Sequence, residues 1–213
     1  MSLEEKRKIL IEMLKKQGRI KSKEIEKAFL RIPREEFVPN IFEKHAYSDM
    51  PLEIGNGQTI SAPHMVAIMC EELDLKKGQK ILEIGTGSGY HAAIVAKIIE
   101  PKGQIYSIER HKNLAEKAKQ HLKNLNIKNI IIKIGDGSEG LKKYSPYDRI
   151  YVTCAAPTIP QPLIDQLKDP GKILIPVGST ICTLYLLEKN NGKIKLENLG
   201  GCAFVPMVGK YGH

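Results

Sequence analysis

From the N-terminus, apolar positions first recur at helical spacing. Leu3, Leu10, Ile11 and Leu14 stand among charges, which predicts an amphipathic helix from Leu3 to Gln17, ended by Gly18. Ser22 is placed to cap a second helix, Lys23 to Arg31, that presents Ile25, Ala28 and Phe29. A proline-bounded irregular link follows over 32–39, and residues 54–60 read as a flexible loop. Ser61 is placed as N-cap of the next helix, with Pro63 in its first turn and Met65, Ile68, Met69 and Leu73 as its apolar side. From residue 80 strand-length apolar runs alternate with helix-length stretches. Strands are predicted at 80–84, 104–109, 130–134, 148–154 and 172–177. Helices are predicted at 90–99, at 112–124 and after Pro160, with a short helical turn at 137–142. This alternation predicts a doubly wound, mainly parallel α/β sheet with helices on both faces. Ile181 to Glu188 and Lys193 to Val205 flank Asn190-Asn191-Gly192 and add two antiparallel strands, making a seven-stranded sheet. One domain over 1–213 is expected: N-terminal helices and link to residue 50, an α/β core over 51–180, and antiparallel strands and tail over 181–213.

Composition narrows this picture. With 213 residues and 42% hydrophobic content, the chain can bury a good core, and disorder is excluded. No apolar run approaches the ~20 residues of a membrane helix, and no charged–apolar–small signal segment opens the chain. A soluble, cytoplasmic protein without a membrane partner is therefore expected. Cys70, Cys154, Cys182 and Cys202 are widely spread with no C-x-x-C pair, and the histidines show no zinc spacing. No metal is expected, and the thiols read as small hydrophobes rather than disulfides. A net charge of +9 permits attraction to nucleic acid. The excess, however, is lysine spread along helical faces (Lys6, Lys8, Lys15, Lys16, Lys112, Lys117, Lys119, Lys123), without an arginine run or interleaved aromatics. A solvated surface explains it better, so no nucleic-acid partner is expected. The two N-terminal helices admit a helix-turn-helix reading, but packing on the main domain fits the scattered charge better. A monomer is expected.

The stretch Ile81-Leu82-Glu83-Ile84-Gly85-Thr86-Gly87-Ser88-Gly89-Tyr90 reads as a strand, a glycine turn and a helix start. Its third glycine comes one position too soon for the dinucleotide pattern G-x-G-x-x-G. The spacing, with Glu83 two residues before the first glycine, instead resembles motif I of S-adenosylmethionine (AdoMet) methyltransferases with a Rossmann-like fold. Glu109, ending the next strand, stands where a βαβ unit offers a carboxylate to ribose hydroxyls. Gly135-Asp136-Gly137 ends the third strand and places an acid suited to the adenine amino group.

Further words resemble one family across nearly the whole chain and in order: the protein-L-isoaspartate O-methyltransferases. They are PREEFVP (33–39), the 49–52 stretch, IGNGQTISAPHMVA (54–67), LEIGTGSGY (82–90), GDG (135–137), PYDRI (146–150), IPQPLIDQL (159–167), PVG (176–178) and FVP (204–206). Pro170-Gly171 and Tyr90-His91 depart from the family pattern, with effects expected only on a turn and on a tolerated neighbour of the cofactor.

The resemblance implies methyl transfer from AdoMet, leaving S-adenosyl-L-homocysteine, to the free α-carboxyl of L-isoaspartyl residues in damaged proteins and peptides. It implies Ser61 as the active-site hydroxyl. Thr59, Ile60, His64, Glu83, Gly85, Gly87, Ser88, Glu109, Asp136 and Gly137 are implied at the cofactor. Ile54 and Val205 are expected to hold substrate with Ser61, the peptide main chain being clamped by the 54–60 loop and residues 204–208. Two other readings stay open: an AdoMet methyltransferase of RNA or a small metabolite, and a non-catalytic cofactor-binding regulator that grips DNA.

Overall fold

The computed structural model describes residues 1–179 and 181–213. Helix α1 (Leu3–Lys16) opens with a capping box in which Ser2 and Glu5 bond each other's backbone N–H. Helix α2 (Lys23–Arg31) is capped by Ser22, as its position predicts. After them come the strands β1 (Leu52–Gly55) and β2 (Gln58–Ile60) and helix α3 (Pro63–Glu72). Strand β3 (Lys80–Ile84) and helix α4 (Tyr90–Ile99) are followed by β4 (Gln104–Glu109), α5 (Lys112–Asn124) and β5 (Ile130–Ile134). Then come β6 (Tyr147–Val152), α6 (Gln161–Asp165), β7 (Leu167–Gly178), β8 (Cys182–Asn190) and β9 (Lys193–Cys202).

The main sheet has seven strands in the order β5-β4-β3-β6-β7-β8-β9. From β5 to β7 neighbours are parallel; β8 and β9 add as antiparallel hairpin strands. Strand β7 begins at Leu167 rather than near 172, because Leu167 pairs with Tyr147 across an irregularity. Successive residues of β3 point to opposite sides, Ile81 into the core under α3, α4 and α5, Leu82 and Ile84 into a second, smaller core. Helices are not equal on the two faces. The second face has α6 and two short 3-10 helices, Gly137–Glu139 and Lys142–Tyr144.

Two expectations are corrected in the N-terminal third. The link after α2 is not wholly irregular but includes 3-10 helices at Arg34–Phe37 and Asn40–His45. Residues 54–60 are not a flexible loop. They complete the β1–β2 hairpin, with Asn56 at φ 55° and Gly57 at φ 67° in the turn. An Asn-Gly pair suits such a turn because both central residues need positive φ. The strands are too short to show alternation, which is why the pattern hides them. The side-chain amides of Asn56 and Asn113 bond each other at 2.7 and 3.2 Å, tying the hairpin tip to α5.

The N-terminal layer docks on Tyr90. Its ring meets Phe37 at 5.5 Å and Phe29 at 6.3 Å between centroids, both edge-on, and the Arg34 guanidinium carbon stands 5.1 Å from it. Arg34 is fully buried, and its Nε and Nη1 have no partner among the described residues. That loss of water pulls its pKa down to about 10.

A polar row crosses the middle of the sheet. Ser107 on β4, Glu83 on β3 and Tyr151 on β6 are paired in register. Glu83 is fully buried; it accepts hydrogen bonds from the Ser107 hydroxyl and, at 2.8 Å, from the Tyr151 hydroxyl. No cation faces it among the described residues, and burial pushes its pKa up to about 8.

Two predictions follow from this packing. Tyr90→Ala is expected to lower the unfolding free energy by about 3–5 kcal/mol, and Tyr90→Phe by less than about 1 kcal/mol, in urea titrations. For Glu83 the folded pKa lies above the unfolded value, so the native state holds the extra proton between the two. Its contribution is complete below about pH 4.5 and fades as pH rises to about 8. Glu83→Gln should therefore gain stability relative to the parent across that window, by at most about 1.4 kcal/mol per pH unit. Urea midpoints of both proteins at several pH values across it check the slope.

Candidate active site

The turn from β3 into α4 shapes the site. Gly85 has φ 91°, and a Cβ there would stand 2.3 Å from Thr153 Oγ1. Thr153 uses that space to donate to the carbonyls of Gly85 (2.6 Å) and Ile84 (3.0 Å). A side chain at 85 is thus excluded twice, by conformation and by room. The Gly85 N–H bonds the Ile108 carbonyl of β4 at 2.9 Å, and the chain enters α4 through Gly89 at φ 89°.

Beside this turn lies a cleft that opens to solvent. It sits at the carboxyl ends of β3, β4 and β6, where the strand order reverses. Open parallel sheets bind ligands at such a place. Gly85, Gly87 and Ser88 form one wall, and Glu109 and Gly137 come from the ends of β4 and β5. Thr59, Ile60 and Ser61 enter from the hairpin side, and Val205 from the C-terminal tail.

Glu109 takes one backbone N–H on each oxygen, from Gly87 and from His111, both at 2.9 Å. Its remaining lone pairs leave it able to accept hydroxyls of a nucleoside. A bare glycine wall with a carboxylate at the end of the neighbouring strand fits AdoMet, which brings a ribose and an amino-acid tail. Among the described residues no cluster of three or more His, Cys, Asp or Glu could hold a metal.

Ser61 lines the cleft, but its expected N-cap role fails, and four other implied residues, Ile54, His64, Glu83 and Asp136, lie outside the lining. Ser61 does not cap α3: the N-cap is Ala62, without a side-chain cap bond. Asp49 does that work, its Oδ1 accepting from the His64 N–H at 2.8 Å and pairing with His64 Nδ1 at 2.9 Å. The Ser61 hydroxyl is thereby left to the cleft, and His64 is held at the helix start, outside the lining. Glu83 lies beneath the cleft and reaches it only through Ser107, whose hydroxyl meets that of the lining Thr86 at 2.5 Å.

Asp136 faces the tail: Oδ1 accepts from the Ser138 N–H and hydroxyl, and Oδ2 from the Lys210 N–H. These bonds hold its carboxyl below the usual carboxylate range against a raising effect of burial. Ile54 packs its Cδ1 over Gly87 rather than lining the cleft.

The sequence reading missed Thr153 and Cys154, which follow β6 at the cleft; the burial of Cys154 pushes its thiol up to about 12. Their signal was available, since polar residues ending a parallel strand stand at the ligand-binding edge. The tail was only partly anticipated. The Val205 carbonyl and Met207 N–H are used by Ala155, at 2.8 and 2.7 Å. Main-chain groups of Phe204, Pro206 and Val208 have no such partner among the described residues.

The family model described as protein-L-isoaspartate(D-aspartate) O-methyltransferase (PCMT) matches residues 5–212. A protein-L-isoaspartate O-methyltransferase of Methanococcus aeolicus is 54% identical over 195 residues, covering 92% of this chain and 90% of the relative. One from Pyrococcus horikoshii is 53% identical over 213 residues, covering 99% and 96%. A solved protein-L-isoaspartate O-methyltransferase superposes with a TM-score of 0.89 at 33% identity, over 97% of this chain and 67% of that one. A Plasmodium falciparum structure described by the same activity, in complex with S-adenosyl-L-homocysteine, gives 0.85 at 29% identity over 95% and 98%. The sheet is therefore the Rossmann-like sheet of the AdoMet methyltransferases. With sequence and backbone both matched from one end to the other, the chain belongs to the protein-L-isoaspartate(D-aspartate) O-methyltransferase family.

Proposed function

We propose that this chain repairs damaged proteins by transferring the methyl group of AdoMet to the free α-carboxyl of L-isoaspartyl residues. The observation that carries this reading is family membership over the full length, together with a cleft that leaves the Ser61 hydroxyl free of its helix. AdoMet supplies a methyl group on a positively charged sulfur, which a carboxylate oxygen takes up directly. An α-carboxyl titrates near roughly 3–4, so the acceptor is already ionised at neutral pH and no general base is required. What remains for the protein is to hold the reactants in line. The methyl ester so formed closes to a succinimide away from the enzyme, and hydrolysis returns part of it as aspartate.

In this reading the Ser61 hydroxyl donates to the substrate carboxylate and orients it. Glu109 accepts from ribose hydroxyls, while Gly85, Gly87, Ser88 and Gly137 let the cofactor lie close against the backbone. Thr59 and Ile60 cover it from the hairpin. His64, Glu83 and Ile54 act one step back: His64 with Asp49 sets the start of α3, Glu83 ties the three central strands, and Ile54 backs Gly87. Asp136 anchors the tail. The peptide main chain runs along the outer side of 204–208, where Pro206 and Val208 keep their groups free and Val205 supplies apolar contact. Such recognition asks little of neighbouring side chains, as repair in many sequence contexts requires. The scattered lysines favour a solvated surface over a nucleic-acid partner, no helix of the described residues is long and apolar enough to cross a membrane, and the chain is proposed to act as a cytoplasmic monomer.

Methyl transfer from labelled AdoMet to two peptides, identical except for L-isoaspartate or L-aspartate at one position, tests the proposal. Base-labile label is expected on the isoaspartyl peptide alone; label on neither, with AdoMet bound, would redirect the search to RNA and metabolites. Ser61→Ala is expected to reduce kcat/KM for the isoaspartyl peptide by roughly 10- to 100-fold, the worth of a hydrogen bond to a charged group. AdoMet affinity in the same variant, read by calorimetry, should stay within about twofold, because the substitution removes no group required by the cofactor.

A further inference from the structure

Cys182 and Cys202 are distant in sequence, yet the β8–β9 register sets them directly opposite each other. Opposed residues of antiparallel strands have Cα atoms about 4.5–5.5 Å apart. A disulfide spans about 4.4–6.8 Å between Cα atoms, a range that includes the spacing of opposed residues. Cys182 is buried, its Sγ 3.2 Å from the Ser179 carbonyl, and Cys202 is half-buried and reachable from solvent. Burial first, and the neighbouring Cys182 thiol second, push the Cys202 thiol up to about 11. The two sulfurs are therefore close enough to feel each other. Cys70 and Cys154 belong to other elements, α3 and the segment after β6, and have no cysteine opposite them.

The position of the pair matters. Cys202 is the last residue of β9, and the chain beyond it crosses the carboxyl ends of the strands. That segment bonds Ala155 through Val205 and Met207, then Asp136 through Lys210 and Ser138 through Tyr211. Residues 205–208 line the cleft. A link at Cys202 would fix the root of the segment that covers the site.

We propose that Cys182 and Cys202 are a redox pair that closes to a cross-strand disulfide, clasping the β8–β9 hairpin where the cleft's C-terminal cover begins. With a low-molecular-weight disulfide as oxidant, the accessible Cys202 thiolate attacks one sulfur and half of the oxidant leaves as a thiol. The Cys182 sulfur then attacks the Cys202 sulfur of the mixed disulfide, and the second half leaves as a thiol. The two cysteines give up two electrons and two protons, and the oxidant takes up both. Because little Cys202 is ionised near neutrality, the first step should quicken roughly tenfold per pH unit between about pH 7 and 10.

The test treats the folded full-length protein with oxidised glutathione at mildly alkaline pH, blocks remaining thiols, and maps the cross-link by mass spectrometry. The expected result is a Cys182–Cys202 link with Cys70 and Cys154 still free. With it should come a rise in Tm of roughly 5–10 °C that reductant reverses. Cys182→Ser should keep glutathione on Cys202, form no link and show no rise. Absence of the link after diamide as well as glutathione, pairing of either cysteine with Cys70 or Cys154, or a link that leaves Tm unchanged or lower would overturn the proposal.

Discussion

Gly85 has no room for a side chain, and that constraint organises the molecule around it. The space a Cβ would fill is held by the Thr153 hydroxyl, which binds the carbonyls of Ile84 and Gly85 and so joins the end of β6 to the end of β3. The Gly85 N–H is bound to β4. Three strands are thus fastened at one turn, and the cleft opens beside it. Directly below, Ser107, Glu83 and Tyr151 tie the same strands a second time. A buried carboxyl without a cation is costly to ionise, so burial keeps Glu83 protonated even though both hydrogen bonds favour its charged form.

The N-terminal layer serves the cleft indirectly. Tyr90 starts α4 at the turn and is also the surface on which Phe29, Arg34 and Phe37 pack, so the first helices brace the helix that leaves the glycine wall. Arg7 links this layer to the segment after it, bonding Glu35 at 3.0 Å and the Tyr47 hydroxyl at 2.7 Å. The chain then reaches Asp49, which secures the start of α3 through His64. Ser61 is free for the cleft because a residue before the hairpin has satisfied the helix end.

The same division of labour appears at the C-terminus. The Asp136 carboxylate bonds Ser138 and the Lys210 N–H, holding the cover of the cleft. Residues near the site therefore fall into those that face the space and those that fix the pieces around it. Glu109, Ser61 and the glycines belong to the first group, and Glu83, His64 and Asp136 to the second.

Much of this was legible in the sequence. Strands and helices from residue 80 to 134 fall where hydrophobic periodicity puts them, because each buries one side or both against a continuous core and so must carry that pattern. The glycine turn and Glu109 were legible too, since backbone conformation and strand ends leave local marks. What the sequence left undetermined is who partners whom. The Ser61 position suits an N-cap equally well, and only the fold brings Asp49 to α3 instead. The family resemblance implies Glu83 and Asp136 at the cofactor, yet Glu83 is buried within the sheet and the Asp136 carboxylate is bonded to the tail. Cys182 and Cys202 look unrelated until strand register opposes them. Local periodicity fixes an element and its buried side; contacts across long stretches of chain depend on register and packing, which only the folded structure decides.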